Sequence, residues 1–287
     1  MKKYLLIFWV FLSLAVQAQD KHLVILHTND THSRIEAMPR NDAQYPDKGG
    51  VLRRSAYVEK VRKENANVLL LQAGDIVQGT PYFNLLSGRA DIEIMNAMGY
   101  DASCLGNHEF DLGLDSLLML VKLAKFPFIA TNYDFDETPL KGFTKKYVVL
   151  KKAGIKIGII GLGVNPEGLI ADKNCKGMKY LDPIVAANET ASFLKQKEKC
   201  DIVICLSHLG FYKDEPVMGD VMLVKNTNNI DIVIGGHSHN FLLEPYYEKN
   251  INGQKVIITQ MGKNGIYVGR LDLSFIKERK KCKFARN

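Results

Sequence analysis

Five of the seven histidines stand at the downstream ends of apolar runs, three of them within two residues of an aspartate or asparagine. In Leu26-His-Thr-Asn-Asp30-Thr-His32 the carboxylate and imidazole are two residues apart, so an extended segment would point both the same way. Together they form a pair suited to a first-row metal, though alone the pattern is commonplace. Leu71-Gln-Ala-Gly74-Asp75 ends another apolar run in a carboxylate whose two oxygens could bridge two cations. The competing reading is that Asp75 caps the next turn. Leu105-Gly-Asn107-His108-Glu109-Phe110-Asp111 is more specific. Adjacent Asn107 and His108 cannot both reach one ion from a regular strand, so they are expected to do different work. Asp111 is close enough to orient His108 and favour its charged form. The runs ending in Ser207-His208 and Gly235-Gly236-His237-Ser238-His239 complete the set, the small residues permitting close approach to a buried ion. Asp30, His32, Asp75, Asn107, His208, His237 and His239 make seven ligands, too many for one tetrahedral zinc. They suit two ions sharing Asp75, each keeping a position open for water or substrate. His22 and His27 lack this setting and read as structural.

The elements that must position these residues alternate short apolar runs with longer helical patterns. Strands are expected at residues 23–26, 68–72, 128–131, 147–150, 156–160, 202–206, 232–234, 256–259 and 267–273. Helices are expected at 50–63, 83–98, 114–124, 183–197 and, more weakly, 221–226. Leu114, Leu117, Leu118, Val121 and Ala124 recur on one helical stripe. Pro183 suits a first helical turn capped by Asp182. Lys152-Ala-Gly154 between β-branched runs looks like a hairpin turn, which makes the sheet mixed rather than purely parallel. A carboxylate or imidazole at a strand's carboxyl end lies where α/β sheets bind ligands. One α/β domain is expected to fill residues 19–276.

The strings ILHTNDTHSR, LQAGDIVQGTP, LGNHEFDLG, IGIIGLG, LSHLG and IVIGGHSHN, with ITQMG and GRLDL downstream, resemble the calcineurin-like metallophosphoesterases. They are more similar still to the catalytic N-terminal domain of the 5′-nucleotidase family, over about residues 22–274. The resemblance implies a four-layer α-β-β-α sandwich with mixed sheets. It implies one metal on Asp30, His32, Asp75 and His239 and a second on Asp75, Asn107, His208 and His237. His108 would be the catalytic histidine and Asp111 its partner. The implied reaction is hydrolysis of phosphate esters, nucleotides above all, with two divalent ions (Zn, Mn, Fe or Co) activating water for attack on phosphorus. Family members with full nucleotidase activity carry a second, C-terminal domain that binds the nucleoside base and supplies arginines to the phosphate. No such domain is expected after Phe275, and Arg34, Arg53, Arg54, Arg89 and Arg270 match no substrate motif. Three readings follow: a stand-alone phosphoesterase, a catalytic subunit needing a separate nucleoside-binding chain, or a non-catalytic metal-stabilised binding protein. The last would call for loss of His108, Asp111 or a ligand, and all are present.

The 287 residues carry 24% charged and 46% hydrophobic side chains, an ordinary globular composition. Lys2 and Lys3, the apolar stretch from Tyr4 to Val16 and the small-residue Val16-Gln17-Ala18 read as a cleaved signal peptide over residues 1–18. Its apolar run is shorter than the roughly 20 residues a bilayer span needs. Cleavage would reduce the net charge from +7 to +5 and remove the only tryptophan, Trp9. A periplasmic or secreted protein without a membrane span is expected. Residues 277–287 are a basic tail read as solvated, and no aromatic-interleaved basic groove points to nucleic acid. The cysteines at 104, 175, 200, 205 and 282 read mostly as small buried hydrophobes, with Cys200 and Cys205 expected on opposite faces of one strand.

Overall fold

The computed structural model describes residues 21–213 and 216–275 together with Cys282–Phe284. The expected signal segment and most of the basic tail lie outside the described residues. The described elements are, in order, β1 (Lys21–Thr28), α1 (Val51–Glu64), β2 (Val68–Gln72), α2 (Pro81–Leu86), α3 (Arg89–Met98), β3 (Ala102–Cys104), α4 (Gly113–Leu123) and β4 (Phe128–Ile129). They continue through β5 (Tyr133–Asp134), β6 (Tyr147–Lys152), β7 (Ile155–Leu162), β8 (Lys179–Tyr180), α5 (Pro183–Gln196), β9 (Ile202–Ser207) and α6 (Asp220–Asn226). The last are β10 (Ile232–Gly235), β11 (Tyr246–Lys249), β12 (Lys255–Thr259), β13 (Gly269–Phe275) and β14 (Cys282–Phe284).

Two six-stranded mixed sheets result, ordered β14-β13-β1-β2-β3-β4 and β11-β12-β10-β9-β7-β6. In the first, β1 to β4 run parallel and β13 pairs antiparallel with β1. In the second, β7, β9, β10 and β12 are parallel, with β6 and β11 antiparallel at the edges. Successive strand residues face opposite ways, and this period sorts the apolar runs into layers. Leu23, Ile25, Leu69 and Leu71 meet Ile157, Ile159, Ile204 and Ile234 between the sheets. The intervening Val24, Leu26, Val68 and Leu70 pack outward on Val58 and Val61 of α1, Ile92 of α3 and Leu117 of α4. On the far side, Val203, Cys205 and Val233 pack on Ala187 and Leu194 of α5 and Val224 of α6. Helices, sheet, sheet, helices is the expected four-layer order. Burial on both faces explains why the central strands read as unbroken apolar runs. Each fully buried Leu or Ile contributes about 1.5–3 kcal/mol.

The hairpin forms as expected, with Ala153 and Gly154 at φ 53° and 66° and Lys152 opposite Ile155, geometry suited to a two-residue primed turn. Asp182 accepts a hydrogen bond from the Val185 amide at 2.9 Å, capping α5. Other details differ. The single helix expected over 83–98 breaks at Ser87 and Gly88, both left-handed, into α2 and α3. Its apolar pattern continues across the break because both helices cover the same core. The short strands β3, β5, β8 and β11 lack the length or apolar run that would mark them. Within the expected solvated tail, Cys282–Phe284 pairs antiparallel with β13. Cys104, Cys200 and Cys205 are buried and Cys175 half-buried, all as free thiols. Cys200 and Cys205 share the cluster under α5 rather than opposite faces, because β9 starts only at Ile202 and strand alternation does not extend back to Cys200. No helix among the described residues is long and apolar enough to cross a membrane.

Candidate metal centre

Every chemically suspect side chain emerges at the carboxyl edge of a parallel strand. Asp30 and His32 follow β1, Asp75 follows β2, and Asn107 and His108 follow β3. His208 follows β9, while His237 and His239 follow β10. Because the sheets are stacked with these edges at one end, eight residues from five loops meet.

His32 Nε2 lies 3.1 Å from His239 Nε2, and both approach Asp30 Oδ1, at 3.8 and 3.4 Å. His208 Nε2 lies 3.1 Å from Asp75 Oδ2 and 3.9 Å from Asp30 Oδ1. Asp75 Oδ2 is also 4.0 Å from His32 Nε2, so this carboxylate stands between the two groups. Asn107 Oδ1 and His237 Nδ1 approach within 3.1 Å, and the His237 ring stands edge-on to His208 at 5.3 Å. Ligand atoms of Asp30, His32 and His239 all fall within 4.8 Å of one another, as do those of Asp30, Asp75 and His208. Asp30 thus reaches towards both groups, where the resemblance implied only one. Asn107 and His108 do part company. His108 Nδ1 donates to Asp111 Oδ2 at 2.9 Å, and its ring stands 5.5 Å from that of His32.

The route by which paired ligands converge differs from the extended one expected. Asp30, His32, Asp75, His237 and His239 all have positive φ, between 49° and 72°. Tight left-handed turns, not flat strand ends, bring the side chains of Asp30 and His32 inward, and likewise those of His237 and His239. Such non-glycine conformations cost about 1–3 kcal/mol each and persist only where the surroundings enforce them. The surroundings here are tight. A Cβ on Gly236 would sit 2.5 Å from the Ala73 carbonyl oxygen and 2.8 Å from His208 Nδ1, so only glycine fits.

Three supporting residues were not singled out from the sequence. Asn29 donates to Asp30 Oδ2 at 2.6 Å and to the Gly262 carbonyl at 2.7 Å, and accepts from the Met261 amide at 2.8 Å. Buried Glu109 accepts from the amides of Ile76 at 2.7 Å, Gly106 at 2.6 Å and Asp75 at 3.1 Å, clamping the loops that carry Asp75 and Asn107. Burial, then the charge of Asp75, pushes its carboxyl up. Buried Asp220 accepts from Ser207 Oγ at 2.5 Å beneath His208, with burial raising its carboxyl to about 7. Glu109 was within the LGNHEFDLG string, but its side chain turns away from the ligands. Asn29 likewise lay within the ILHTNDTHSR string, whereas Asp220 had no such signal.

The donor set fits divalent cations. Burial disfavours charge on His208, yet Asp75 and Asp30 beside it outweigh burial and raise its pKa. Burial likewise opposes charge on Asp75, and His208 overcomes it, holding the carboxyl well below the usual carboxylate range. Two buried carboxylates therefore demand positive charge at this point. His208 Nε2 is buried without a well-aligned hydrogen bond, 3.1 Å from Asp75 Oδ2, where a cation could take the place of its proton. The opposite nitrogen is fixed, because His208 Nδ1 donates to the Ala73 carbonyl at 2.7 Å. Such an arrangement sets the tautomer and orients a metal-binding imidazole. Burial, followed by His208, lowers His237 to about 4, keeping it a neutral donor. His108 goes the other way. Its hydrogen bond to Asp111 raises it, favouring imidazolium.

Comparison with known proteins agrees with this geometry. The model of the calcineurin-like phosphoesterase family matches residues 23–241, and the chain belongs to that family. Enzymes of the family use two divalent metal ions. The chain is 31% identical over 287 residues to a snake venom 5′-nucleotidase of Gloydius brevicauda, covering 93% of this chain and 47% of the relative. It is 32% identical to the human 5′-nucleotidase, covering 88% and 46%. Among solved structures, a 5′-nucleotidase precursor from Thermus thermophilus superposes with a TM-score of 0.82 at 33% identity, covering 92% of this chain and 53% of that one. The NAD nucleotidase of Haemophilus influenzae gives 0.82 at 32%, covering 93% and 55%. The chain spans about half the length of the curated relatives it matches.

Proposed function

We propose that this chain is an exported phosphoesterase that hydrolyses phosphate monoesters, nucleotides among them. The observation that supports it most is the convergence of Asp30, His32, Asp75, Asn107, His208, His237 and His239 beside the His108–Asp111 pair. Asp30, His32, Asp75 and His239 would hold one divalent cation, and Asp75, Asn107, His208 and His237 the other. When bound, such a pair supplies Lewis acidity for phosphoryl oxygens and an acidified water. The chain's own groups do the rest. Asp111 holds His108 by Nδ1 and favours its protonated form, leaving Nε2 to hydrogen-bond a phosphoryl oxygen or give its proton to the departing alkoxide. A positioned acid of this kind is worth about 10²–10⁴-fold in rate. Glu109 and Asn29 hold the Asp75 and Asp30 loops, so the carboxylates need not reorganise.

A panel of aryl phosphates, nucleotides, cyclic nucleotides and nucleotide sugars, assayed with metal-loaded protein, tests the reading. His108→Ala should bind as much metal as the wild type and turn over about 10²–10⁴ times more slowly. Undiminished turnover in that variant would refute the role. A second reading has the catalytic chain working with a separate nucleoside-binding unit. Activity that rises on adding a candidate unit would select it. Export rests on the signal-like first eighteen residues. A secreted product that starts near Gln19 and lacks tryptophan fluorescence would bear it out.

A further inference from the structure

Beside the metal centre, with His239 in its lining, the structure opens into a pocket of about 410 Å³. That volume is within the range of small-molecule sites. One wall is aromatic. Phe241 and Tyr267 stack with ring centroids 4.2 Å apart and planes 20° apart, and Tyr45 meets Tyr267 edge-on at 6.0 Å. Phe241 and Tyr267 nevertheless remain 38% and 37% exposed, so aromatic surface is left for a visitor. Lys263 and Asn264 line the same space, giving it polar groups beside the ring faces.

The pocket is built from the same loops as the metal centre. The Asn264 amide donates to the Asp30 carbonyl at 2.7 Å, and the Gly262 amide to the Asn240 carbonyl at 2.9 Å. Phe241 is bridged to Met261, whose amide is held by Asn29, the residue that also orients Asp30. A group in the pocket is therefore in fixed register with a phosphoryl group held among Asp30, His32 and His239. Planar aromatic walls with a few hydrogen-bonding side chains suit a flat heteroaromatic ring, because every nucleobase offers a π-face for stacking.

We infer that the pocket bounded by His239, Tyr45, Phe241 and Tyr267 receives the aromatic ring of the ester's organic group, a nucleobase or similar heteroaromatic, giving this domain ring recognition of its own. The inference rests on the phosphoesterase reading above and adds the place on this domain where the ring would sit.

The test compares adenosine 5′-monophosphate with ribose 5-phosphate, which share the ester but differ by the ring, in metal-loaded wild type, Phe241→Leu and Tyr267→Leu. The expected result is a KM for the nucleotide raised about tenfold in each variant, towards the lower end of what base–aromatic stacking gives. Ribose 5-phosphate kinetics should stay unchanged and serve as the control for folding. Equal losses on both substrates in both variants, or no loss on either, would overturn the pocket assignment. Should the wild type hydrolyse neither ester, the phosphoesterase reading fails, and calorimetric titration with adenosine decides the pocket separately. Binding that Phe241→Leu weakens supports it, and no binding to the wild type overturns it.

Discussion

Asp30 and Asp75 leave strand ends of the first sheet, whereas His208, His237 and His239 leave those of the second. One sheet thus contributes the carboxylates and the other most of the imidazoles, with His32 the exception. Their support differs as well. The Asp75 loop is held from within its own half by Glu109, and Asp30 by Asn29, which is itself tied to Gly262 and Met261 beyond β12. The imidazoles are held across the gap. His208 Nδ1 donates to Ala73 after β2, and the His237 amide donates to the Asp30 carboxylate at 3.1 Å. The second sheet's ligands are therefore correctly aimed only when the first sheet is already in place. Sheet stacking, driven by the apolar layer between them, is also what assembles the site.

Four measurements would break or sharpen that contrast. The largest effect is expected at Asp75, which stands between both groups. Asp75→Asn should leave fewer than two ions per chain by elemental analysis and, at several kcal/mol of lost charge stabilisation, cut kcat/KM by on the order of 10³. Two tightly held ions in that variant would remove the shared carboxylate from the scheme. His237→Ala, on the second sheet, should lose one ion and keep the other. The affinity of the affected site should fall by more than about 100-fold, since even outer partners of ligands are worth 10–100-fold. Loss of both ions together would show that the two halves do not act separately.

A third measurement addresses the join itself. His27 is buried between the sheets, and burial lowers its pKa to about 3. Between pH 6.5 and 3 the unfolded chain takes a proton that the folded one refuses. The stability His27 allows is therefore complete above 6.5 and declines as pH falls, by about 1.4 kcal/mol per unit. Urea titrations across that window should give His27→Gln a shallower pH slope than the wild type, and equal slopes would count against a buried neutral imidazole. The smallest effect lies far from the centre. Asp182→Ala removes the cap of α5 and should cost about 1 kcal/mol. Metal content should be untouched, and a change there would mean that the outer helices influence ligand geometry.

Much of this was legible in one dimension because parallel strands buried on both faces must be apolar, and the polar residue ending each run is conspicuous. Asp30, Asp75, His208 and His237 stand out for that reason. The hairpin at Ala153-Gly154 and the cap at Asp182 were legible too, since each depends on a few adjacent residues. The break at Ser87-Gly88 was not, because the same core supports one helix or two. Strand β3 is too short to show a period. The left-handed turns at His32 and His239 were hidden as well, since only a few per cent of non-glycine residues adopt positive φ.

By itself the sequence determined which residue types were available for metal chemistry and which strand ends would carry them, because local pattern and composition encode both. Only the tertiary structure decided that Glu109 clamps two loops, that Asn29 and Asp220 stand behind the ligands, and that Phe241, Tyr267 and Tyr45 enclose one space beside His239. Those relations join residues far apart along the chain through hydrogen bonds and stacking. They exist only once the apolar layer has pressed the two sheets together.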